Sequence, residues 1–205
     1  MRRLLLTAGV AALLAIPSML AAQAKYDHGE VGAYGDMFRV TPTGHSATNY
    51  LGLGGRASFN TGRFVALEAE MNYDFEQNYT NVTASGGNAG GTSTTITSGV
   101  RPITALFGPK FQLGSTGPFR AFLEAKAGFI DFSTTCNAPA GSGSCFTNSL
   151  NNFGGSSTHF AAYPGGGIEA FWGPLGVRVD AGDELYFNNG TYNNLRVTFG
   201  PTLRF

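Results

Sequence analysis

Glu68 and Glu70, two carboxylates at i and i+2, are the most chemically suggestive pair in the chain. Side chains two apart share one face of a strand. Such a pair could do acid–base work, or it could face basic groups as part of a structural network. The three histidines, His28, His45 and His159, offer a second chemistry. His45 precedes Ser46, and His159 follows Ser156, Ser157 and Thr158. A serine activated by histidine needs mutual geometry and an orienting acid, and no spacing here fixes either. Lipid hydrolysis or acyl transfer is one reading of these residues; ordinary polar loop residues is the other. Cys136 and Cys145 flank a segment rich in Gly, Ser and Ala with one Pro. In an exported chain an even count points to a disulfide, with two loop thiols as the alternative. No histidine or third cysteine lies nearby, so a metal site is not expected. Gly86, Gly87, Gly90 and Gly91 follow no strand-to-helix pattern, so a phosphate loop is not expected either. The reading is a chain with no catalytic residue, no cofactor and no metal.

The elements that would carry these residues come from patterning. The chain has 205 residues, enough for one domain. Its charged share is 13%, about half the usual value. The formal charge is +0, which argues against a nucleic-acid partner. Arg2 and Arg3, an apolar run from Leu4 to Leu20, and Ala22-Gln23-Ala24 read as a signal peptide cut after Ala24. The domains expected are therefore 1–24, signal peptide, and 25–205, barrel. Beyond the signal no apolar run reaches the roughly 20 residues that a membrane helix needs.

The mature sequence alternates with period two, the mark of strands. From Phe64 to Phe75 the odd positions are Val65, Leu67, Ala69, Met71, Tyr73 and Phe75, and the even ones include Glu68, Glu70, Asn72 and Asp74. Phe119 to Phe132, Val177 to Phe187 and Leu195 to Phe205 repeat the rule, as does Leu51 to Asn60. Glu30 to Val40, Ile103 to Leu113 and His159 to Trp172 are weaker. Short connections at Thr61-Gly62, Gly114–Pro118 and Gly173–Gly176 alternate with longer ones at Thr41–Asn49, Glu76–Ser98, Thr134–Thr158 and Asn188–Asn193. Short turns at one end and long loops at the other are the habit of transmembrane barrels. The fold class expected is all-β: an eight-stranded antiparallel up-and-down transmembrane β-barrel.

Alternation does not say which face is buried; the charges do. On the polar face stand Glu30, Asp36, Arg56, Glu68, Glu70, Lys110, Arg120, Glu124, Lys126, Glu169, Arg178, Asp180 and Glu184, with Arg196 and Arg204 on the last strand. Seven basic and eight acidic groups could pair inside a narrow lumen. The apolar face carries only Arg39, Arg101, Asp131 and Asp183, each near a long loop. A lipid-facing arginine costs about 2–4 kcal/mol at the midplane but about 0–1 near the interface, so this confinement fits a lipid band. Phe59, Phe111, Phe119, Trp172 and Phe205 mark one aromatic level, and Tyr73, Phe75, Phe129, Phe160 and Phe187 another.

The run Tyr163-Pro164-Gly165-Gly166-Gly167-Ile168-Glu169 and the final Asn193 to Phe205 resemble the closing strands of the outer-membrane β-barrel domain family, related to the OmpA-type barrels. The resemblance covers the mature chain in architecture and its last third in motif. It implies a bacterial outer-membrane location and Phe205 as the assembly signal. It implies outer-membrane lipids, periplasmic chaperones and the barrel-assembly machinery as partners. A monomer is expected, and no peptidoglycan-binding domain, because such a domain would follow the barrel and nothing follows Phe205. The family has no single activity. The function expected is a non-enzymatic scaffold, structural or surface-binding through its long loops. A small narrow channel and a lipid-modifying enzyme are the alternatives.

Overall fold

Alternating side chains suit a wall with lipid on one side and a crowded lumen on the other. The structure, a computed structural model, describes residues 28–41, 47–85, 92–113, 118–137 and 157–205. Nine strands run in chain order: β1 (Gly29–Val40), β2 (Thr48–Asn60), β3 (Val65–Asp74), β4 (Gln77–Ser85), β5 (Thr92–Leu113), β6 (Phe119–Asn137), β7 (Ser157–Trp172), β8 (Leu175–Phe187) and β9 (Thr191–Arg204). Chain neighbours pair antiparallel except β3 and β4, β1 pairs with β9, and β3 pairs with the lower half of β5. The ring β1-β2-β3-β5-β6-β7-β8-β9 therefore closes on itself with eight staves, leaving no open edge within the wall. β4 prolongs the line of β3 along the upper half of β5, from Gln77 opposite Val100 to Ser85 opposite Thr92.

Several expected loops are shorter than the sequence suggests. Most of Glu76–Ser98 is the β4–β5 hairpin rather than a loop. Its Thr, Ile, Val and Tyr residues favour extended backbone, while the Gly and Asn of residues 86–91 in the same sequence stretch hide that preference in a composition count. β6 runs on to Asn137, β2 begins at Thr48, and residues 188–190 alone join β8 to β9. Asn189 takes φ 51° in that turn, and Gly173 takes φ 66° in the turn between β7 and β8. The predicted signal peptide, His45, Ser46, Cys145, Ser156 and the 114–117 turn lie outside the described residues.

Three gaps in the ladders fall at Pro109 (β5–β6), Pro164 (β7–β8) and Pro201 (β1–β9). Proline has no N–H to give a ladder. All three take the outward parity of their strands.

The two faces differ as a membrane requires. Outward lie Leu51, Leu53, Met71, Phe107, Leu123, Ile168, Val179 and Phe199, and both aromatic levels of the sequence reading, all exposed. β3 has 10 residues. At about 3.3 Å per residue and a tilt near 40°, such a strand crosses about 25 Å, the height of the apolar band.

Inward, large rings lie over glycines directly opposite on the next strand. Tyr34 covers Gly54, Phe122 covers Gly167, and Phe171 covers Gly176. An eight-stave lumen is only wide enough for side chains to fill, so a ring and a second bulky group cannot share one level. A Cβ on Gly54 would run into the Tyr34 ring. Gly54→Ala is expected to cost about 1–3 kcal/mol by overpacking, measured by urea unfolding in lipid vesicles. Tyr34→Ala in the same chain should recover part of that loss; simple additivity of the two would contradict the pairing.

Candidate functional site: the filled lumen

The inward positions stack in tiers from the short-turn end to the long-loop end. In the lowest tier β1 supplies Glu30, β5 Lys110, β6 Arg120 and β7 Glu169. Lys110 Nζ donates to Glu30 Oε2 at 2.7 Å and to Glu169 Oε1 at 2.9 Å. Arg120 Nε donates to Glu169 Oε2 at 2.7 Å, and its guanidinium also donates to Glu30.

The middle tier centres on Arg178. Its Nη1 meets Glu68 Oε2 at 2.7 Å, its Nη2 meets Glu124 Oε2 at 2.6 Å, and its Nε meets Asp180 Oδ2 at 3.0 Å. Lys126 Nζ lies 2.7 Å from Glu68 Oε1, 2.5 Å from Glu70 Oε2 and 3.0 Å from Glu124 Oε2. Arg56 donates to Asp180 Oδ2 at 2.6 Å and to Thr198 Oγ1 at 2.8 Å. Glu68 and Glu70 are both bound to these cations, as members of one ion-pair network.

Among the described residues the upper tier has one cation. Arg196 reaches Glu184 Oε2 at 2.7 Å, Asp36 Oδ2 at 3.1 Å and Asp74 Oδ2 at 3.4 Å. Thr104 donates its hydroxyl to Glu184 at 3.0 Å. Rings cover the exposed faces of the cations: Arg56 stands 4.0 Å from the Tyr34 ring, Arg178 4.1 Å from Phe122 and Arg196 4.3 Å from Phe38.

Above Arg196 the lumen changes character. Phe38, Val40, Tyr50, Val100, Ile130, Phe132, Ala161 and Tyr186 form a buried apolar plug, with Tyr192 packed against it. Tyr186 stacks on Tyr192 at 4.8 Å and meets Phe132 edge-on at 5.3 Å. His159 is half-buried beside the rings of Phe132 and Tyr186.

Fourteen of the fifteen predicted network residues are thus buried in the lumen. Arg204 is not among them. It is half-buried at the lower rim, where its Nε donates to the Gly173 carbonyl at 2.8 Å and its guanidinium lies 4.5 Å from the Phe171 ring. Asp74 is the residue the sequence reading left out, although it shares the parity of Glu68 and Glu70 and is fully buried. Phe205 ends the chain at the lower rim, with its carbonyl accepting from the His28 and Gly29 N–H groups. Cys136 stands at the tip of β6, its side chain outside the described residues. The four outward charges stand at the upper rim: Arg39 is exposed, Arg101 meets Glu76, Asp131 accepts from Thr158, and Asp183 accepts from the Asn194 N–H.

No family model matches the sequence, and no curated protein matches it. Solved structures do match the fold. The attachment invasion locus protein Ail of Yersinia pestis, in complex with the heparin analogue sucrose octasulfate, superposes with a TM-score of 0.52 at 14% identity, over 88% of this chain and 99% of that one. The N-terminal β-barrel domain of Pseudomonas aeruginosa OprF gives 0.51 at 12% identity, over 88% and 98%. At these identities the likeness shows the fold, that of the eight-stranded outer-membrane barrels.

Arg178 contacts carboxylates on β3, β6 and β7 as well as its own strand. Removing one partner of a buried network leaves the others uncompensated, at about 3–5 kcal/mol. Arg178→Met is expected to lose that much in urea unfolding, and Arg178→Lys less. Equal stability of Arg178→Met and the parent would show the network to be dispensable. Phe132→Ala should cost about 3–5 kcal/mol by leaving a cavity in the plug.

Proposed function

We propose that this outer-membrane barrel is a non-enzymatic scaffold that presents its outer loops for binding, and that its lumen is a plug rather than a pore. One observation carries the reading: ion pairs fill the lumen from Glu30 up to Arg196, and the aromatic plug lies over them. Water and ions crossing that lumen would have to break several buried charge pairs at once, each of which leaves an uncompensated charge.

In this reading the long connections lie outside the cell, and the short turns, the start of β1 and the end of β9 lie on the periplasmic side. Loops on a rigid frame are where recognition concentrates. The attachment invasion locus protein, bound to a heparin analogue, illustrates one use of such a barrel. In this chain the β4–β5 hairpin and the tip of β6, which carries Cys136, would carry the binding surface. Phe205, exposed at the periplasmic rim, serves as the assembly signal for export partners. The barrel acts as a monomer in contact with outer-membrane lipids.

Two measurements test this role. In gels without boiling the purified protein should migrate differently from the boiled sample. In planar bilayers it should give no stable conductance steps. Reproducible single-channel steps from folded protein would replace the scaffold with a channel. Lipid deacylation that is lost on His159→Ala would replace it with an enzyme.

A further inference from the structure

Where β3 gives way to β4 the register slips. Tyr73 faces Ile103, and Gln77 faces Val100. One extra residue on the β3–β4 side is therefore taken up around 74–76, which is a β-bulge. Pro102 stands opposite, and with no N–H to give it loses nothing by the interruption. The bulge lies at the upper aromatic level, between the band of outward apolar residues and the protruding hairpin. It is also where β2 lets go. The Phe75 N–H donates to the Leu51 carbonyl at 2.8 Å, and beyond it β4 pairs with β5 alone among the described residues.

The extra residue brings Glu76 next to Arg101 on β5 and Thr135 on β6. Its Oε2 accepts from the Thr135 hydroxyl at 3.0 Å and from Arg101 Nη2 at 3.4 Å. The carboxylate reaches β6 by passing over Gly99 on β5, where a Cβ would collide with both Glu76 and Thr135. Arg101 is held from below by the Tyr73 ring, 5.2 Å from its guanidinium. One side chain therefore spans the three strands that, among the described residues, rise beyond the barrel, at the level where they leave it.

We propose that Glu76 is a conformational pin: the bulge at 74–76 is a hinge, and the Glu76 carboxylate fixes the angle at which the β4–β5–β6 sheet stands on the barrel. The pin matters to function only if the outer loops do the binding, the role proposed for this barrel. The pin itself does not depend on that role. A sheet in which β5 and β6 run unbroken into the wall while β4 joins it only through the bulge would otherwise pivot there.

Hydrogen exchange followed by mass spectrometry on the folded protein in vesicles separates the sheet from the barrel. Glu76→Gln is expected to speed exchange in 77–85 and 92–100 roughly threefold, the scale of a part-exposed ion pair. Residues 103–111 should keep their rates. Arg101→Gln added to Glu76→Gln should change little more, because both act through one carboxylate. Thr135→Val, which keeps the ion pair, should give a smaller effect at the same amides. Unchanged exchange at 77–100 in Glu76→Gln would overturn the proposal. Equal acceleration at 103–111 would overturn it too, as a general loss of stability. The measurement uses no ligand, so failure to find a binding partner for the loops would leave its outcome standing.

Discussion

Charge inside a narrow lumen is the constraint on which the rest of this structure depends. Lipid outside the wall leaves the interior as the only place within the membrane for charged side chains. An interior that holds only side chains tolerates them only when they are paired. The contacts of Arg178 with Glu68 and Glu124 show what pairing adds beyond neutrality. Backbone ladders tie each stave to its two neighbours. Arg178 ties β8 to β3 and β6 across the lumen, Arg56 ties β2 to β8, and Lys110 ties β5 to β1. These struts hold the cross-section of the ring, which ladders alone leave free to flatten.

The wall is not uniform along its height. Through most of the membrane it is apolar outside and charged inside. At the upper rim the arrangement inverts: Arg39, Asp131 and Asp183 face out while Phe38, Tyr50, Phe132 and Tyr186 face in. There the barrel is built as a water-soluble one would be, with an apolar core and a polar surface. The inversion comes from what surrounds each level. Where headgroups and water replace lipid, the outer face needs polar groups, and the inner face is free to be held together by apolar burial.

Much of this was legible in the sequence, because parity along a strand is a strict code. The alternation of Val65 to Phe75 and of Leu195 to Phe205 assigned faces, and the confinement of Arg39 and Asp183 to one end assigned the apolar face to lipid. What parity does not carry is height and partner. Asp74 has the same parity as Glu70 but stands at the last position of β3, where a strand and a loop residue look alike in sequence. Phe38 and Phe132 also have inward parity, yet nothing in their spacing says that strands far apart in the chain bring them into one plug. The β4–β5 hairpin was missed because its Thr-rich strands resemble a polar loop in composition. The rim position of Arg204 comes with contacts to Gly173, Pro174 and Phe171, which join the end of the chain to the β7–β8 turn.

The rings laid over glycines have a consequence for how such a sequence can drift. Tyr34 with Gly54 fills one level of the lumen as a large and an empty position on adjacent staves, and the atoms nearest a Cβ at 54 all belong to the Tyr34 ring. What the wall fixes is the summed volume at that level, not the identity of either residue. Exchange of the large and the empty partner, or two medium side chains in their place, would satisfy the same volume. Substitution at one position alone would not. Positions of this kind should therefore change in correlated pairs, so a barrel can keep its shape while most of its individual residues turn over.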